Sequence, residues 1–143
     1  MAIGRFVVAF GHIEWYTYEL LVHLPTENIF PAVAHLGFKD RATLAIELLA
    51  DSRFAGAPAK SLQRALRKAI TLASTRNIVA HNPVMLSLYT NTDGEIDFRP
   101  EISPFRDPKK RLTLAEVRKL GRQAEDLAGE VYEHQNRVFH DST

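Results

Sequence analysis

The chain has 143 residues, a formal net charge of +1 and no cysteine. The length predicts a single domain over 1–143, able to bury about two-thirds of its unfolded surface. The small charge argues against a strong nonspecific nucleic-acid binder, and the missing thiols exclude disulfides, thiolate zinc sites and cysteine nucleophiles.

The first expected helix runs from about Ala2 to Leu24, before Pro25. Its apolar run Phe6–Phe10 is short and leads into His12 and Glu14, unlike a signal peptide, and no stretch approaches the ~18 apolar residues of a membrane helix. No membrane partner is expected, and the expected location is the cytoplasm. Ile3, Phe6, Val7, Phe10, Ile13, Thr17, Leu21 and Leu24 recur at helical spacing and form a core stripe. Glu14 falls inside that stripe. A carboxylate there is costly unless paired or hydrogen-bonded: either it pairs with Arg76, the partner we name, or it reaches the rim of the bundle and caps nothing. A second seam on the same helix comprises Val8, Gly11, Trp15, Tyr18 and Val22 at alternating three- and four-residue spacing. A helix apolar on two faces is buried on two faces. The second face meets either another helix of the chain or, as the reading we favour, a second copy.

A short helix is expected over Asn28–His35, stopped by Gly37, and a third over Lys39–Asp51. The fourth begins near Pro58, which suits a first turn, and ends near His81, because Pro83 disfavours helix at Asn82. Leu62, Leu66, Ala69, Ile70, Ala73, Asn77 and Ala80 form its stripe, with Arg76 and His81 on opposite margins. Ile78 and Val79 point away from this stripe and need other cover. Val84–Tyr89 and Glu95–Phe98 read as strands of a hairpin around Asn91-Thr92-Asp93-Gly94. After a loop over Ser103–Arg111, Thr113 and Glu116 form a capping box that opens the last helix, expected to about Phe139. The expected fold class is therefore mainly all-α: an up-and-down bundle of about five helices with a small β-hairpin insertion.

Basic residues outnumber acids between Arg99 and Arg122, and Lys60, Arg64, Arg67 and Lys68 form another basic group. Lys109, Lys110 and Arg111 are candidate contacts to RNA phosphates; a solvated surface explains each group equally well. Two pairs, Glu19/His23 and Glu130/His134, have a spacing that differs from the Glu-x-x-His of di-iron bundles. They read as surface pairs, and no metal or other cofactor is expected.

The chemistry concentrates in Ser74-Thr75-Arg76-Asn77-Ile78-Val79-Ala80-His81-Asn82-Pro83. A guanidinium presents a planar fork that suits phosphate oxygens, and an imidazole moves protons near neutral pH. One helix end thus carries the two groups needed to cleave a phosphodiester without a metal. A satisfied polar cluster at a helix terminus is the competing explanation.

At these residues the chain resembles the HEPN superfamily of all-helical domains, many of them ribonucleases with an Arg-x4-6-His signature, often Arg-Asn-x-x-x-His. The opening helix (Phe6 to Leu21), Gly37-Phe38-Lys39 and the closing amphipathic helix from Thr113 are similar to that family as well. The resemblance implies a homodimeric, metal-independent endoribonuclease of the toxin or phage-defence kind, with RNA as substrate. Arg76, Asn77 and His81 would be catalytic and Glu14 supporting. A cognate antitoxin is an implied partner, although the tyrosine that some family toxins carry two residues after the histidine is Pro83 here. The alternative is a non-catalytic HEPN-like module that binds nucleotide, RNA or protein through the same cleft.

Overall fold

The computed structural model describes residues 1–141. In chain order it has α1 (Ala2–His23), α2 (Phe30–Val33), α3 (Phe38–Leu48), a 3-10 turn (Ser52–Phe54), α4 (Ala57–His81), β1 (Val84–Thr90), β2 (Ile96–Ile102), a second 3-10 turn (Pro108–Lys110), β3 (Leu112–Thr113) and α5 (Leu114–Asp141). The protein is mainly helical, with a small antiparallel sheet ordered β1-β2-β3. Among the described residues no helix is long and apolar enough to cross a membrane.

The core follows from the apolar stripes. Phe6, Phe10, Ile13, Leu20 and Leu21 of α1 and Leu24 just after it are fully or almost fully buried with Leu62 and Leu66 of α4 and Val117 and Val131 of α5. α1 packs on α3, α4 and α5, while α4 packs on α3 and α5. Two expectations about α1 change. Val7 is half-exposed rather than core, and Ala9 and Leu20 are buried in addition to the expected stripe.

Side chains mark the starts of α5, α2 and the first 3-10 turn. Glu116 N–H donates to Thr113 Oγ1 at 3.1 Å, and Thr113 N–H donates to Glu116 Oε2 at 2.7 Å, the expected capping box. α2 is a single turn, shorter than Asn28–His35, with Asn28 Oδ1 accepting from Phe30 N–H at 3.2 Å. α3 stops at Leu48, and the Asp51 carboxylate caps the 3-10 turn that follows.

The sheet is larger than the expected hairpin. β2 continues through Pro100 to Ile102, and β3 adds a strand pairing Glu101 with Thr113 and Ile102 with Leu112. The proline is tolerated because β3 reaches only Glu101 and Ile102, so Pro100 lies at an open edge. The turn forms where Asp93-Gly94 placed it: Gly94 has φ +81°, and Asn91 Oδ1 accepts from the N–H groups of Asp93 and Glu95. Every residue from Asn91 to Pro100 is exposed, so the outer part of the hairpin stands off the helices as an arm.

Candidate functional site at the end of α4

The inward row of α4 runs Leu62, Leu66, Ala69, Ala73, Arg76 and Val79, buried or half-buried throughout. This corrects the sequence reading in its last two turns. Asn77 and Ala80, expected in the core stripe, are exposed; Val79, expected outside it, is 3% exposed. Three- and four-residue steps, rather than a fixed 100° rotation, keep this face on its neighbours along a 25-residue helix.

Arg76 therefore points inward. Its Nη2 donates to Oε1 of Glu14 in an ion pair, and its guanidinium carbon lies 5.1 Å from the centre of the Phe10 ring. Phe10 and Glu14 are one helical turn apart on α1, so ring and carboxylate reach α4 together. The pairing of Glu14 with Arg76 matches the sequence expectation. The Arg76 side chain is 20% exposed and that of Glu14 31%. Arg76 Nε is buried without a hydrogen-bond partner. A flat cation held by a carboxylate at one nitrogen and an aromatic ring beneath it has a fixed orientation.

His81 and Asn77 are exposed on the opposite side, four residues apart and thus neighbours on one face. The positions of Arg76 and His81 differ by roughly 140° around the helix axis. One protomer therefore brings Asn77 and His81 together and holds Arg76 apart from them. Asn82 is extended, with φ −120° and ψ 144°, as the residue before a proline should be. Its Nδ2 donates to the carbonyl of Ile78 at 2.9 Å and closes the helix terminus.

The other candidate residues lie elsewhere. Lys109 and Lys110 are in the second 3-10 turn and Arg111 follows it, all exposed. Lys110 Nζ is 3.8 Å from Asp107. Arg111 Nη1 donates at 3.5 Å to Tyr89 Oη, which donates to the buried carboxylate of Glu101. On α1, Val8 and Trp15 are exposed by 61% and 62%, Val22 is also exposed, and Gly11 and Tyr18 are half-buried. The seam is thus largely uncovered by the chain itself. Trp15, Tyr18 and Val22 border an apolar depression of about 340 Å³ closed by Phe30 of α2. A larger groove of about 590 Å³ lies between α4 and α5, from Lys68 to Thr75 and from Leu120 to Glu130. It stops one residue short of Arg76.

Polar contacts that the sequence did not reveal hold α1 in place. Arg41 on α3 is 4% exposed; its Nε donates to Thr17 Oγ1 at 3.1 Å and its guanidinium carbon lies 3.9 Å above the Tyr18 ring. Its place in the apolar period of Phe38, Ala42 and Ala45 was the one available signal. Glu19 accepts from Trp15 Nε1 at 3.1 Å and from the buried Gln135 at 2.7 Å. Glu130 pairs with Lys68 at 3.4 Å. Both carboxylates of the Glu-x3-His pairs thus have partners other than their histidines. Burial raises the Tyr16 phenol above its ordinary range, and the negative charge of Glu19 adds to this.

Compared with known proteins, the chain matches no family model, no curated protein and no solved structure.

Proposed function

We propose that this chain is a HEPN-like endoribonuclease, an up-and-down helical bundle that cleaves RNA without a metal ion. The observation that carries the reading is the Glu14–Arg76–Phe10 arrangement together with a solvent-facing His81 on the other side of the last turns of α4. It supplies an oriented cation and an accessible imidazole at one helix end.

The reaction would be attack by the ribose 2′-oxygen on the adjacent phosphorus. The 2′-O–P bond forms and the P–O5′ bond breaks. One imidazole takes the 2′-hydroxyl proton and an imidazolium protonates the leaving 5′-oxygen. The products are a 2′,3′-cyclic phosphate and a 5′-hydroxyl. Arg76 would stabilise the charge that builds on the phosphate, Glu14 would hold its fork, and Asn77 would position His81 or the phosphate.

The separation of Arg76 from His81 within one protomer favours a site built by two copies. The uncovered α1 seam supports such a homodimer, with Trp15 as its anchor. A pair of chains offers two imidazoles, one for each proton. Lys109, Lys110 and Arg111 would contact flanking phosphates. The biological role would be that of a toxin or defence nuclease held in check by an antitoxin.

A second reading is a non-catalytic module that binds nucleotide, RNA or protein. The Glu14–Arg76 pair favours it, since the guanidinium already has a carboxylate partner. Incubation of the purified chain with mixed RNA in EDTA separates the two. Cleavage lost in His81→Ala supports the nuclease. Intact RNA together with calorimetric nucleotide or RNA binding supports the module. Growth arrest by the chain but not by His81→Ala would support the toxin role.

A further inference from the structure

The hairpin arm carries a second uncovered apolar surface. Directly opposed residues of an antiparallel ladder point to the same face. The register pairs Val84 with Ile102, Leu86 with Pro100, Leu88 with Phe98 and Thr90 with Ile96, so these eight share a face without a charge among them. At its base Ile102 joins the helical core. Beyond it Val84, Leu86, Leu88, Ile96 and Phe98 are 47%, 66%, 58%, 58% and 58% exposed. The other face carries Met85, Ser87, Tyr89, Asp97, Arg99 and Glu101 and is polar apart from the exposed Met85. Tyr89 donates to Glu101, Arg99 donates to Asp97, and the Arg99 guanidinium carbon lies 4.7 Å from the centre of the Tyr89 ring. Two strands with a bare apolar face are marginal in water unless something packs on them.

We propose that a second copy of the chain covers this face, the two arms packing antiparallel, apolar side to apolar side. Three features select that occupant. A charge-free face meets its own copy without repulsion. At ~100 Å² per side chain the five exposed residues offer about 500 Å² per copy, and the pair reaches the ~1,000 Å² at which specific interfaces begin. The third feature is charge. The arm tip carries Asp93 and Glu95, whereas the loop at the arm base carries Arg106, Lys109 and Lys110 against a single acid, Asp107, with Arg111 turned to Tyr89 on the polar face. A two-fold axis through the middle of the arm sets each acidic tip beside the partner's basic loop; a parallel arrangement sets tip on tip. This interface depends on neither the α1 seam nor the proposed nuclease activity.

Sedimentation of charge-reversed chains tests it. Asp93→Lys/Glu95→Lys and Lys109→Glu/Lys110→Glu each place like charges across the interface, and all four positions are exposed, so folding is spared. Both pairs are made in a Trp15→Glu background, which removes any contribution from the α1 seam. Each variant alone should associate at least about tenfold more weakly than the Trp15→Glu parent at low salt. An equimolar mixture should recover the parental affinity as a heterodimer, because both tip–loop contacts are then attractive. A Trp15→Glu parent that is monomeric at micromolar concentration would overturn the proposal. So would a mixture that associates no better than its components.

Discussion

Arg76 Nη2 and Glu14 Oε1 join the last turns of α4 to the middle of α1 by a partly buried ion pair above the Phe10 ring. The pair has an energetic consequence that precedes any activity. Removing one member leaves the other charge partly desolvated and unmatched, which costs more than the pair itself contributes. Glu14→Ala should therefore destabilise the fold by about 1–3 kcal/mol, and Glu14→Ala/Arg76→Ala should cost less than the two single changes added together. Urea unfolding of the four chains measures this. Strict additivity would mean that the two groups do not hold each other.

His81→Ala should leave the melting temperature nearly unchanged, because the side chain is exposed and Asn82 rather than His81 closes the helix. RNA cleavage on the same preparation should fall by at least about 100-fold, the usual scale for losing a general acid or base. Loss of activity together with a collapsed melting transition would identify His81 as structural.

Arg76→Lys should be nearly as damaging to cleavage as Arg76→Ala. Lysine keeps the charge but has neither the planar fork that meets Glu14 nor the flat surface that lies over Phe10. A lysine variant within a few-fold of the parent would reduce Arg76 to a generic positive charge.

Cleavage should persist in EDTA and leave a 2′,3′-cyclic phosphate, with DNA resistant because it lacks the 2′-hydroxyl. Chromatography of the products against cyclic and linear phosphate standards reads this directly. Activity that returns only with added divalent metal, or equal cleavage of single-stranded DNA, contradicts the mechanism.

Trp15→Glu should break the α1 contact, halving the sedimenting mass from four chains joined through both surfaces to an arm-paired dimer, and abolish cleavage with Arg76 and His81 untouched. Trp15 is the largest exposed side chain of the α1 seam, and large aromatics carry much of an interface's energy. A variant of unchanged mass, or a fully active one of half the mass, would mean that the α1 seam does not complete the site.

Elements whose signals are local are legible in the chain alone. Apolar periodicity gave the long helices, Pro83 ended α4, Asp93-Gly94 turned the hairpin, and Thr113 with Glu116 opened α5. The Glu14–Arg76 pair was legible as one of two outcomes, because a carboxylate inside a core stripe either finds a partner or turns to the rim. Tertiary structure decided what depends on how elements meet. The face that α4 turns to its neighbours fixed Arg76 inside and Asn77 and His81 outside, a choice that a fixed 100° rotation misplaces within two turns. The burial of Arg41 against Tyr18, and the third strand that carries β2 past Pro100, rest on contacts between residues far apart in the chain. A side chain's neighbours along the sequence set its conformation, but only the packed partner sets its free energy. For that reason α4 reads correctly as a helix, while the surroundings of its arginine and histidine emerge only after α1 is laid against it.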